Sequence, residues 1–321
     1  MTPTSRRTFL GSVTMTGIAG LGFSRLVASA RAQESSRRKM TTNLVCGAIG
    51  VSANQEEAIR LAAKHGFESV EARGDYLATL SQPQMEELLT RMSEAGVVWG
   101  AAGLSVDFRG DEGRFREGMD SLPGIAAGLR RAGVTRVGTW LSPAHGTLTY
   151  LQNFEQHANR LRAVATMLKD HGQWLGLEYV GTETLRARRK HPFVHTFAET
   201  SELIDSIGTG NVGFVLDSWH WWTAGDTEAD LLSLRPEQVV AVDLNDAPAG
   251  IPKEQQQDGR RELPMATGVI DVKTFLNALH RIGYDGPVRA EPFNRTLNGM
   301  DNDAACAATI AALNQAMALI Q

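Results

Sequence analysis

The sequence predicts a (β/α)₈ TIM barrel, on three observations. Eight short apolar runs recur between residues 44 and 293, and amphipathic segments of helical period separate them. The runs are apolar on both faces, as strands of a parallel sheet covered on each side must be. No run is followed by G-x-G-x-x-G or a phosphate-binding P-loop, the marks of an open doubly wound sheet.

The strand runs are LVCGAIG (44–50), ESVEA (68–72), VVWGAAGL (97–104), RVGTWL (136–141), WLGLEYV (174–180), VGFVLD (212–217), VVAVDLN (239–245) and VRAEPF (288–293). Helical segments between them include NQEEAIRLAAKHG, PQMEELLTRMSEAG, ANRLRAVATMLKDHG, AETSELIDSIG and VKTFLNALHRIG, and DAACAATIAALNQAMALI follows the last strand. Several close on glycine, the residue that ends a helix in the left-handed conformation. Eight βα units in 321 residues make one closed barrel.

The N-terminus reads as an address rather than as fold. Ser5 to Leu10 carries the pair Arg6–Arg7, a short Gly- and Thr-rich apolar run follows, and small residues at 28, 30 and 32 suit cleavage. Residues 1–32 are therefore expected to be a twin-arginine signal, 33–42 a disordered linker and 43–321 the barrel, with the mature chain periplasmic or exported. The apolar run is too short to anchor in a membrane. Removing it takes four of the 32 basic residues and no acid, so the formal charge moves from −4 to −8. An acidic chain of this kind is a poor ligand for nucleic acid or anionic lipid. Two cysteines, Cys46 and Cys306, provide neither a disulfide framework nor a thiolate zinc site. They fall on strand one and the last helix, adjacent in a closed barrel, where they pack as apolar residues or pair.

In a (β/α)₈ barrel chemistry sits at the C-terminal ends of the strands. Strands five to eight end in Glu178, Asp217, Asp243 and Glu291. Strand alternation puts each carboxylate on the face turned to the barrel axis, opposite apolar neighbours turned to the helices. Four converging carboxylates repel unless a cation compensates them. An all-oxygen set favours Mn²⁺ or Mg²⁺ over Zn²⁺. Arg289 shares a face with Glu291, one layer below, where Gly176 and Ala241 leave room for its guanidinium as a second countercharge. After Asp217 come Trp219, His220, Trp221 and Trp222. His220 is placed on the rim against substrate, Trp221 and its neighbours as an aromatic wall, with at least one indole packed beneath the next helix. Glu71 and His145, at the same barrel end, are further candidates for substrate contact.

The motifs LGLEYVG, VGFVLDSWHWW, VVAVDLNDAPAG, RRELPMATGVID and GYDGPVRAEPF resemble the xylose isomerase-like barrel superfamily, often named sugar phosphate isomerase/epimerase, over about residues 43–320. The resemblance implies a divalent metal held by Glu178, Asp217, Asp243 and Glu291. Asp243 stands where the family commonly has His, which makes the site more anionic; Co²⁺ and Zn²⁺ stay as alternatives to Mn²⁺ or Mg²⁺. The family's D-x-x-H pair matches Asp217 and His220, and its loop after strand seven matches QDGRRELP, so Arg260 or Arg261 is expected to reach substrate oxygens. Glu178 and Glu291 flank the metal as the acid–base pair of a keto-sugar isomerase or epimerase. Elimination from the same enediolate, on a 3-keto glycoside or inosose, is the lyase or dehydratase alternative, and a sugar-binding barrel without catalysis is another. No Gly-rich helix N-terminus follows strand seven or eight, so the expected partner is a small non-phosphorylated sugar, with homo-oligomerisation left open.

Overall fold

The structure, a computed structural model, describes residues 38–321. The export signal read over residues 1–32 lies outside the described residues. Eight strands close a parallel barrel in sequential order: β1 (Thr41–Leu44), β2 (Ser69–Ala72), β3 (Val98–Gly103), β4 (Arg136–Trp140), β5 (Trp174–Glu178), β6 (Val212–Asp217), β7 (Val239–Leu244) and β8 (Pro287–Ala290). β1 pairs with β8 through Thr41 opposite Pro287, which completes the ring.

The first strand lies three residues before the apolar run assigned to it, and Cys46–Ile49 forms a 3₁₀ turn instead. Polar residues hid it. Thr42 donates its backbone N–H to Glu68 Oε2 at 2.8 Å, and the Thr41 and Ser69 hydroxyls meet at 2.8 Å, so the two threonines are held in the wall with their polar groups satisfied. Residues 41 and 42, assigned from the sequence to the linker, thus belong to the barrel wall.

The helices follow their local signals. Gln55–His65 begins with a reciprocal capping box between Asn54 and Glu57 and stops at Gly66, φ 80°. Val272–Ile282 buries Val272, Phe275, Leu276, Ala278 and Leu279 along one stripe and stops at Gly283, φ 84°. Cys306 is in the apolar core, Cys46 packs against it, and both are free thiols. Among the described residues no helix is long and apolar enough to cross a membrane.

Strand register positions the chemistry. Asp217 on β6 lies directly opposite Asp243 on β7, which lies opposite Arg289 on β8; Trp140 on β4 lies opposite Glu178 on β5. The level beneath is lined by the small or branched residues Gly138, Val215 and Ala241. The room credited to Gly176 goes elsewhere: a Cβ there would meet Val240 at 2.7 Å and Val215 at 2.9 Å, so those side chains fill it.

Candidate active site

Four carboxylates converge at the C-terminal mouth of the barrel. One oxygen each from Glu178, Asp217, Asp243 and Glu291 lies within 4.8 Å of the others. Two guanidinium groups, one buried and one half-buried, are threaded through them. Arg289 holds Asp243 with both prongs, Nη2 to Oδ2 at 2.8 Å and Nε to Oδ1, and reaches Glu291 Oε1 at 3.0 Å. Arg261, 2 % exposed, donates from Nη1 to Asp217 Oδ2 at 2.7 Å and from Nη2 to Asp258 Oδ1 at 2.6 Å. Its Nη1 also points at Glu291 Oε2, 3.4 Å away. Planar forks of this kind suit carboxylate pairs in a way a lysine ammonium does not.

Each acid has its own environment. Asp217 also caps the helix Ser218–Ala224: its Oδ1 accepts from the Trp219 N–H at 2.8 Å and from Asn245 Nδ2 at 2.9 Å. Burial raises its carboxyl to about 6. Burial pushes Glu291 up to about 7 against the pull of Arg289, with Asp243 adding to the rise. Glu178 is pushed well above the ordinary carboxylate range by burial and by the negative charges of Glu291, Asp243 and Asp217. Its Oε1 is buried without a hydrogen-bond partner. An unpartnered buried oxygen at the centre of a carboxylate cluster fits a divalent ion, for which all four acids are oxygen donors.

His220 is buried, not on the rim. Its Nε2 lies 3.2 Å from Arg261 Nη2 and 3.7 Å from oxygens of Glu178, Asp217 and Asp258. A guanidinium only donates, so Nε2 accepts and the ring proton is on Nδ1. Burial, then the charge of Arg261, lowers the imidazole to about 3, so it is neutral at physiological pH.

The tryptophans do not form the expected wall. Trp221 is buried against Phe275, ring centroids 5.5 Å apart, and its indole N–H binds the Thr227 carbonyl at 3.1 Å. Trp219 donates to Thr182 Oγ1 at 2.9 Å, and Trp222 packs edge-on against it. The strand runs straight into a helix, which turns these indoles back into the barrel wall. The indole that does face the cavities is Trp140, 47 % exposed at the end of β4. Its strand parity, shared with Gly138, is the signal that would have found it. Arg109 over the Trp140 ring, 4.4 Å from its centroid, sits on an irregular loop where no periodicity points.

Of the remaining candidates, Glu71 lines the central cavity of about 300 Å³ together with Glu178, Glu291 and Arg289, and burial raises its carboxyl. Arg261 joins the cluster, whereas Arg260 is exposed and lines neither the central nor the outer cavity. His145 stands to one side, its Nδ1 accepting from the Leu148 N–H at 2.8 Å.

A model of the xylose isomerase-like TIM barrel matches residues 59–316. The chain belongs to the xylose isomerase-like TIM barrel family. A xylose isomerase domain protein from Alicyclobacillus acidocaldarius superposes with a TM-score of 0.76 at 31 % identity, covering 87 % of this chain and 99 % of that one. The inosose isomerase of Bacillus velezensis is 24 % identical over 249 residues, 75 % of this chain and 84 % of its own length. A D-psicose 3-epimerase solved in the presence of D-fructose has the same fold, with a TM-score of 0.67 at 16 % identity over 88 % of this chain and 99 % of that one. In this xylose isomerase-like barrel the carboxylate cluster, with Asp243 held by Arg289, offers four oxygen ligands to a divalent ion.

Proposed function

We propose that this xylose isomerase-like barrel is a metal-dependent sugar isomerase or epimerase that moves a proton at the carbon next to a carbonyl of a non-phosphorylated sugar. The observation that carries the reading is the pairing of Glu178 and Glu291 across one cavity, both with carboxyls raised by burial and by neighbouring carboxylates, Glu291 to about 7. A general acid or base works best when its pKa lies near the working pH. Glu178 Oε1, free of hydrogen bonds, takes the proton from carbon, and Glu291 delivers one. Arg289 and Arg261 hold Asp243, Asp217 and Glu291 in place through the transfer. The divalent ion supplies polarisation of the carbonyl and its neighbouring hydroxyl. The names of the relatives, inosose isomerase and D-psicose 3-epimerase, support this class.

A phosphate is disfavoured by the helix starts after β7 and β8. Asp271 caps one and Asn294 the other, with Asn294 Oδ1 accepting from the Thr296 and Leu297 N–H groups, so these donors are already taken. The test is solvent exchange. Ketoses and inososes incubated with the loaded enzyme in D₂O should gain deuterium at the carbon beside the carbonyl and interconvert. Loss of a β-substituent with a new double bond would mark the lyase, and binding without exchange would mark a sugar-binding barrel.

Mn²⁺ or Mg²⁺ is the ion this oxygen set favours, with Co²⁺ and Zn²⁺ as competitors. Because burial pushes Glu291 up to about 7, the metal-free cluster carries a proton there at pH 6.5, and a cation favours the ionised form. Binding Mn²⁺ at that pH is expected to release about one proton per ion, read by calorimetry in buffers of different ionisation enthalpy. No release would mean that the ion binds outside the cluster.

The proposed site of action is the periplasm, reached by the twin-arginine route. Replacing Arg6 and Arg7 with Lys is expected to leave unprocessed, folded protein in the cytoplasm. Unchanged delivery would overturn the assignment.

A further inference from the structure

Beside the central cavity lies a lateral one of about 260 Å³, between the loops after β3 and β4 and the helix Tyr150–Asp170. Trp140 lines both cavities, and so does Arg109. Arg109 lies over the Phe108 and Trp140 rings, 4.6 and 4.4 Å from their centroids, and its Nη1 donates to Thr139 Oγ1 at 3.2 Å and to the Trp140 carbonyl. Its Nη2 and Nε have no hydrogen-bond partner among the described residues. Arg189 lines the same space, also without a partner there, and walls the outer cavity as well.

Two buried side chains among those lining this lateral cavity carry unsatisfied acceptors. Asn153 and His157 are each 2 % exposed, and Asn153 Oδ1 and His157 Nε2 have no partner. His157 Nδ1 donates to the Asn153 carbonyl at 2.9 Å, so Nε2 carries a lone pair. Burial lowers this imidazole to about 4, leaving it neutral. Buried polar atoms left unpaired cost free energy, and a ligand hydroxyl that donates to them recovers it.

We infer that the lateral cavity is a subsite for a carboxylate and its neighbouring hydroxyl, carried by the far end of the sugar, so that the preferred substrates are keto sugar acids. The inference rests on reading the central cavity as a keto-sugar site. Arg109 and Arg189 provide the N–H donors a carboxylate requires, and Asn153 and His157 the acceptors its neighbouring hydroxyl requires. The floor of the mouth is rich in carboxylate and its side is basic, so a molecule with a keto-diol at one end and an anion at the other is oriented by charge. Asp107, in the same cavity, disfavours the dianionic phosphate relative to the singly charged carboxylate.

The test uses three ligands that share a keto end: fructose, fructuronate and fructose 6-phosphate. Their dissociation constants are measured on the Mn²⁺-loaded full chain by calorimetry, with deuterium exchange followed in the same samples. Fructuronate is expected to bind at least about tenfold tighter than fructose, the worth of a charge-assisted contact. In R109Q/R189Q that ratio should collapse toward one. Arg189 is exposed, so R189Q alone keeps the fold and should lower the ratio by roughly threefold. Equal binding of fructose and fructuronate, or a ratio that survives in both variants, would overturn the subsite. Tighter binding of fructose 6-phosphate than of fructuronate would overturn the carboxylate assignment. Binding in the expected order without deuterium exchange would count against the isomerase reading and leave the subsite standing.

Discussion

Glu178→Gln is expected to lower kcat by about 10²–10⁴-fold, the contribution of one positioned acid or base, while the protein stays folded. Glutamine keeps the shape and removes one negative charge from a site where Glu291, Asp243 and Asp217 already repel it. Nothing is lost at Oε1, which has no partner. Thermal stability should therefore hold or rise as turnover disappears. Glu291→Gln should be as damaging to turnover but less clean. Its two oxygens face Arg289 Nη2 at 3.0 Å and Arg261 Nη1 at 3.4 Å, so an amide must turn an NH₂ toward one guanidinium. Deuterium exchange and a melting curve on each variant check both statements. More than about a tenth of wild-type exchange in either would remove that residue from the acid–base pair.

Asp246→Ala is expected to destabilise the protein by about 3–5 kcal/mol, because one buried carboxylate serves several backbone donors at once. Asp246 Oδ2 accepts from the N–H groups of Thr267 and Gly268 at 2.9 and 2.7 Å. Its Oδ1 accepts from Ala247, Val269 and Ile270 at 2.8, 3.1 and 3.1 Å. The side chain thus pins the 267–270 loop under β7, and alanine strands five donors. A fall in Tm on the order of 10 °C should follow. Asp243→Ala is expected to act differently, weakening metal binding by tenfold or more, since it deletes an oxygen donor and releases Arg289 from its fork. Metal titration below the melting range of both variants separates the two roles. Near-native affinity in Asp243→Ala with loss in Asp246→Ala would transfer the ligand role to Asp246. Asp243→His, which replaces a hard oxygen ligand by an imidazole, should shift preference toward Zn²⁺ or Co²⁺.

Local pattern alone determined the eight-fold alternation, the helix stops at Gly66, Gly208 and Gly283, and the four carboxylates at matched strand ends. These are legible because period, capping and parity act within a few residues of one another. Arg289 as a countercharge was legible for the same reason, since it lies two residues before Glu291 on one face. Tertiary structure decided the rest. A strand as polar as Thr41–Leu44 enters the wall because Glu68 and Ser69, at the start of its neighbour, take up the Thr41 and Thr42 polar groups. Two adjacent arginines differ only in surroundings: Arg261 turns into the cluster, and Arg260 is exposed. Trp219, Trp221 and Trp222 read as a pocket wall in one dimension, yet the helix that Asp217 starts carries them back into the core. Arg109, Trp140, Asn153 and His157 come from three separate segments and meet only when the barrel closes. Spacing encodes what neighbours in the chain do together, and which distant loops share a cavity is set by the register of the closed sheet.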